Sequence, residues 1–161
     1  MKKNKKMERL INEIENEKKF NGLITSKFLD LFFPKIIEWD ECILLVLEDC
    51  LHDLPEKFTP NNVINDKTQF EATHNHIHLS DIFAELEENP NQSLRVALRL
   101  IEIWEQQLKI NFPSQKFHLV ISHDEFGSIV RFYKLRTGEI PWIDVDKIDN
   151  FKEEAILIKE I

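Results

Sequence analysis

The chain has 161 residues, of which 42% are hydrophobic and 31% charged, and it carries a formal net charge of -8. Those values describe a soluble polypeptide able to bury one core, and they exclude the disordered and collagenous classes. With only 3 glycines and no G-x-G-x-x-G or G-x-x-x-x-G-K-[ST], it has none of the loops that cradle nucleotide phosphates.

The basic start, MKKNKKMERL, leads into no apolar stretch of signal-peptide length. The longest apolar run, CILLVL (42–47), is too short to cross a bilayer. A cytoplasmic protein without membrane association is the expectation.

In chain order, Met7, Leu10, Ile11 and Ile14 keep helical spacing and predict a first helix over about 5–19. Thr25 or Ser26 is placed to cap a second helix, with Phe28, Leu29 and Phe32 on its apolar side. Pro34 then fits the opening turn of a third helix over about 35–53. In it Ile36, Trp39, Ile43, Val46, Leu47, Cys50 and Leu54 recur every three or four residues. Cys42 and Cys50 would sit about 12 Å apart along that helix, beyond the ~7 Å limit for a disulfide, so both are expected as reduced thiols. Residues 55–67, PEKFTPNNVINDK, read as loop.

The segment around 69–79 is a candidate extra strand, and Ser80–Asp81 opens a short helix with Ile82, Phe83 and Leu86. A long helix is predicted over about 92–110, burying Leu94, Ala97, Leu98, Ile101, Trp104 and Leu108. After Pro113 the period changes. KFHLVIS, IVRFYKLR and EAILIKE read as three strands, the first two joined by the turn HDEFGS. Helices first and strands last imply one α+β domain over 1–161, with N-terminal helices packed on a small C-terminal antiparallel sheet.

Candidate chemistry is sparse. THNHIHLSD (73–81) places His74, His76 and His78 on one face of an extended chain, with Asn75, Ile77 and Leu79 on the other. Neighbours on one face lie about 6.5–7 Å apart, so two of them can grip one zinc. The outer pair, about 13 Å apart, cannot join without a bend, and a third ligand such as His118 or His123 is needed. A metal-dependent enzyme or metal-binding regulator built on this segment is therefore the alternative to the simpler reading, a strand with its histidines in water. SHDE (122–125) contains Ser, His and Asp, but adjacent residues point apart, so a polar turn is expected, not a triad. VRFYKLR (130–136) interleaves cations with Phe132 and Tyr133, as base-stacking sheets do. It is one basic strip in an acidic chain, which argues against nucleic acid. No catalytic residue, metal or cofactor is assigned.

The charge pattern is the stronger signal. Between Glu38 and Glu88, 13 acids face only Lys57 and Lys67. Glu41, Glu48, Asp49 and Asp53 fall on the wet side of the predicted third helix, and Asp81, Glu85, Glu87 and Glu88 follow Ser80. Such a field repels nucleic acid and attracts basic proteins, which makes these eight residues the candidate partner-binding set.

The aromatic-basic strand VRFYKLR, the GEIPW turn with Trp142 and the terminal strand EEAILI resemble the ends of small bacterial immunity proteins. Those proteins belong to contact-dependent growth inhibition and related polymorphic toxin systems. The resemblance covers roughly the last 45 residues of the chain. It implies a cytoplasmic, non-enzymatic protein that binds and neutralises one cognate toxin domain, often a nuclease with a basic cleft.

Overall fold

A β-hairpin, not a helix, occupies residues 35–46 of the computed structural model, which describes residues 1–15, 26–47 and 54–161. Strands β2 (Lys35–Trp39) and β3 (Cys42–Val46) pair antiparallel from Trp39↔Cys42 to Lys35↔Val46. Their two-residue turn places Asp40 at φ 45° and Glu41 at φ 66°, both left-handed, as a turn matching the strand twist requires. The predicted third helix is thus overturned across 35–46. Its apolar spacing is equally that of a short buried run rich in Ile, Val and Trp, which periodicity alone cannot tell from a helix. Cys42 lies buried in β3, so the helical separation computed for the two cysteines does not apply. Residues 48–53, with Cys50, lie outside the described residues, as do 16–19 of the predicted first helix and Thr25.

The second correction concerns residues 69–74, which form a helix and not a strand. Helix α3 (Lys67–His74) begins where the Asp66 side chain accepts a hydrogen bond from the Gln69 N–H, satisfying one of the free donors of the first turn. Only Ile77–His78 (β4) is extended.

Strands β5 (Phe117–Asp124) and β6 (Gly127–Lys134) form the predicted hairpin. Its turn is set by Gly127 at φ 123° and by the Asp124 carboxylate, which accepts from the Phe126 N–H at 2.8 Å. The last strand, β7 (Ala155–Glu160), lies on the other side of β5. At one edge of the sheet, β1 (Lys2–Lys3) pairs with Leu157 and Ile158; at the other, β4 pairs with Ile129 and Val130. The result is a mixed α/β fold with a five-stranded antiparallel sheet in the order β1-β7-β5-β6-β4, beside the separate hairpin β2-β3. The sheet is not purely C-terminal, since β1 comes from the chain start and β4 from its middle.

Of the remaining helices, α1 spans Lys5–Glu15, α2 Ser26–Phe32, α4 Leu79–Ile82 and α5 Pro90–Asn111. Helix α5 starts two residues earlier than predicted because Pro90 fits the first turn. Leu94, Ala97, Ile101, Trp104 and Leu108 share one buried cluster with Phe117, Leu119, Ile121, Phe132 and Leu157 of the sheet. Leu98 is only partly buried, while Val96 and Leu100 are buried, so the stripe is wider than the sequence suggests. On α2, Leu31 is buried and Leu29 is exposed. The Trp104 Nε1–H donates to the Leu31 carbonyl at 2.9 Å and ties α2 to α5.

A second buried cluster explains why almost all of β5 is buried. Val120, Tyr133, Ile156 and Ile158 are covered by Ile143 and Ile148, from the segment between β6 and β7, and by Ala72 of α3. Alternation along β5 therefore separates two cores, not core from solvent.

Candidate functional site

The described members of the acidic set divide into two situations. Glu41 sits in the β2–β3 turn, where its carboxylate takes a 2.6 Å ion pair from Lys67. Its carbonyl accepts from Lys134 Nζ at 3.0 Å and Arg136 Nη2 at 2.9 Å. It is already surrounded by cations of its own chain. The hydrogen bond and charge of Lys67 hold the Glu41 carboxyl below its usual range. Asp81 on α4, Glu85 on the 3-10 turn Ala84–Leu86, and Glu87 and Glu88 before α5 are all exposed. Among the described residues, no Lys or Arg stands at salt-bridge distance from any of these four. Glu48, Asp49 and Asp53 lie outside the described residues.

The four exposed acids are brought together by the fold. Strand β4 runs antiparallel to β6 and pairs at Val130 and Ile129, so the chain leaves it toward the β5–β6 turn. The first turn of α5 returns to the same place, where Ser93 Oγ accepts from the Ser128 N–H at 2.9 Å. Residues 79–93 therefore bracket one end of the sheet, and Asp124, Glu125 and an exposed Phe126 stand at that end as well.

The most organised polar cluster was not visible in the sequence. Glu71 and Asn75, one turn apart at the end of α3, are both fully buried. The Glu71 carboxylate accepts from the N–H groups of Ile43 and Lys134, each at 2.5 Å, and from Arg136 at 2.7 and 3.1 Å. Asn75 accepts from the Leu45 N–H at 2.8 Å and donates to the carbonyls of Ile43 at 2.8 Å and Phe132 at 3.1 Å. Both side chains thus stand between the outer edge of β3 and the outer edge of β6, in the place of a missing strand. Burial works against the Arg136 charge, but the bonds and charge of Glu71 outweigh it and hold the guanidinium above its ordinary value. Every partner is internal, so the cluster fastens the hairpin to the sheet. The sequence signal was the Asp66 cap, which fixes the helix and with it the i, i+4 spacing of Glu71 and Asn75.

The three histidines do not share one strand face. His74 ends α3, half-buried, its Nε2–H donating to the Leu45 carbonyl at 3.2 Å. Burial lowers its pKa, against the opposing pull of that hydrogen bond. His76 and His78 are exposed, with ring centroids 5.2 Å apart, and His76 Nδ1 donates to the Thr73 carbonyl at 2.6 Å. Ile77 and Leu79 point inward, as the alternation implies. Among the described residues no three His, Cys, Asp or Glu side chains are grouped to hold a metal ion.

Within SHDE, His123 Nδ1 lies 2.9 Å from the Ser128 hydroxyl, and both are buried. Ser122 lies on the opposite strand face, and Asp124 is spent on the turn. No accessible nucleophile–base pair results. The VRFYKLR strand is likewise occupied: Phe132 and Tyr133 are buried, Lys134 reaches Glu41, and Arg136 reaches Glu71. The Tyr133 hydroxyl accepts from the Ile143 N–H at 3.3 Å and lies 2.9 Å from His118 Nδ1, and burial pushes its pKa up to about 12. The Cys42 thiol is likewise pushed up to about 12, by burial first and by Glu71 second, so it is no nucleophile at neutral pH.

The chain belongs to the uncharacterized protein PM0498 family, whose model matches residues 2–161. No curated protein and no solved structure matches it. Among the described residues, no helix is long and apolar enough to cross a membrane.

Proposed function

We propose that this chain is a cytoplasmic immunity protein that binds and neutralises a cognate bacterial toxin domain through an acidic surface. The observation that carries the reading is the group Asp81, Glu85, Glu87 and Glu88, exposed at one end of the sheet and, among the described residues, in none of the salt bridges. Clustered like charge disfavours the compact state, and a basic partner relieves that repulsion on binding. The electrostatic field also steers the partner in, which favours fast capture. The internal use of Glu71, Arg136, His118 and His123 supports a binding role over catalysis, because each such group has its partner within the core. Glu41, paired with Lys67, belongs to the hairpin and not to this surface.

The test is to read the neighbouring gene for a toxin domain and to co-express that domain with this chain; neighbours that encode no toxin would count against the reading. Growth should be restored by the chain, and the two proteins should co-purify as one complex. Arrest that persists despite soluble expression of the chain would overturn the reading.

A further inference from the structure

The two sequence segments that the proposed function leaves unused, HNHIH and VRFYKLR, meet in space. His78 is the register partner of Ile129, and Ile77 that of Val130. Val130 belongs to the α5-side core, so His78 and Ile129 point to the opposite face of the sheet. The ring of His76, just before β4, lies 5.2 Å from that of His78. Arg131 shares this face, its guanidinium 5.3 Å from the ring centroid of Trp142, which is 41% exposed.

Among the described residues Arg131 makes no salt bridge, unlike three other arginines. Arg9, Arg99 and Arg136 each reach a carboxylate, Glu13, Glu102 and Glu71 respectively. Among the described residues, no Asp or Glu oxygen lies at salt-bridge distance from Arg131. Its polar contact is a 3.4 Å hydrogen bond to the Ala72 carbonyl near the end of α3. A partly buried guanidinium without an anion carries a desolvation cost that one long bond and an indole face offset only in part. Burial accordingly lowers its pKa, while Glu154, at longer range, acts the other way. The exposed His78 ring lies on the same face of the sheet, while the His76 Nδ1–H is already given to the Thr73 carbonyl.

We infer that Arg131, with Trp142 and His78, forms a binding site for a small phosphate- or carboxylate-bearing molecule. Arg131 supplies the planar fork that matches an oxyanion, His78 adds an N–H donor, and the Trp142 ring lies within cation–π range of the guanidinium. The site is independent of the acidic docking surface and of any partner. The plain structural alternative is a cation that only caps α3 through Ala72.

The test is a fluorescence titration of the full chain, with Trp142→Phe identifying the Trp142 signal. The probes are inorganic phosphate, a nucleoside monophosphate and acetate, which separate phosphate, nucleotide and carboxylate sources. A saturable change with at least one probe is expected, weakened about tenfold or more in Arg131→Gln, because a charge-assisted pair is lost. His78→Ala should weaken it severalfold. Arg131→Lys keeps the charge without the fork and should also weaken binding, which keeps the test valid if Arg131→Gln fails to fold. No saturable change with any of the three probes would overturn the site, as would affinity unchanged in either Arg131 variant.

Discussion

Removing the Glu71 carboxylate should detach the β2–β3 hairpin from the main sheet. In Glu71→Ala, the N–H groups of Ile43 and Lys134 lose their 2.5 Å acceptor, and Arg136 loses two bonds. The Glu71 side chain is 0% exposed and that of Arg136 11%, so water replaces little of what is lost. Breaking one side of such a pair costs about 3–5 kcal/mol, much of it from the charge left behind. Against a total stability of about 5–15 kcal/mol, that is a large fraction. Glu71→Gln should cost about 1–3 kcal/mol, since the amide accepts one backbone N–H but turns an N–H toward the other donors. Arg136→Met in the Glu71→Ala background should restore part of the loss, because no charge is then stranded. Urea unfolding followed by circular dichroism measures all three, with the slope checked for a change in cooperativity. A Glu71→Ala cost below about 1 kcal/mol, or strict additivity with Arg136→Met, would refute the bridging role.

Other outcomes can be measured with the same unfolding assay. Ile101→Ala should cost about 2–5 kcal/mol as a cavity in the main core, whereas Glu102→Ala, at an exposed ion pair on the same helix, should stay within about 0.5 kcal/mol. His74, His118 and His123 are each held below the ordinary histidine pKa, chiefly by burial. The unfolded chain then binds more protons, so stability is full above the ordinary value and falls as pH drops below it. The urea midpoint should decline from pH 7.5 toward pH 5.5, and His118→Gln should flatten that decline; a midpoint independent of pH would contradict neutral burial of these rings. Elemental analysis of the untagged chain should show no stoichiometric transition metal, and one zinc per chain lost in His74→Ala with His76→Ala would overturn the reading of HNHIH.

Which parts of the fold could be read from sequence follows from how much context each element needs. Helix α5 and strands β5, β6 and β7 are long, with a single period, and their limits lie within about three residues of the predicted ones. The β2–β3 hairpin was misread because Ile36, Trp39, Ile43 and Val46 satisfy helical spacing and strand composition together. What decides for strand is tertiary: α3 offers Glu71 and Asn75 to the edge of β3, and an isolated hairpin has no such support. His74 was assigned to a strand for a similar reason, since the Asp66 cap outweighs the alternation that starts at His74. The acidic surface could be read in part. The exposure of Asp81, Glu85, Glu87 and Glu88 follows from local patterning, but their gathering at one end of the sheet depends on the pairing of β4 with β6. Glu41 looked equivalent to them in sequence and differs because Lys67, 26 residues away, reaches it.

The most direct test of acidic docking is the association rate with the cognate toxin domain of the proposal, measured at two salt concentrations beside a thermal melt. Glu85→Lys, Glu87→Lys and Glu88→Lys combined should slow association, flatten its salt dependence and leave the melt nearly unchanged. Association that is unchanged at both salt concentrations, with the melt intact, would contradict a docking role for these acids.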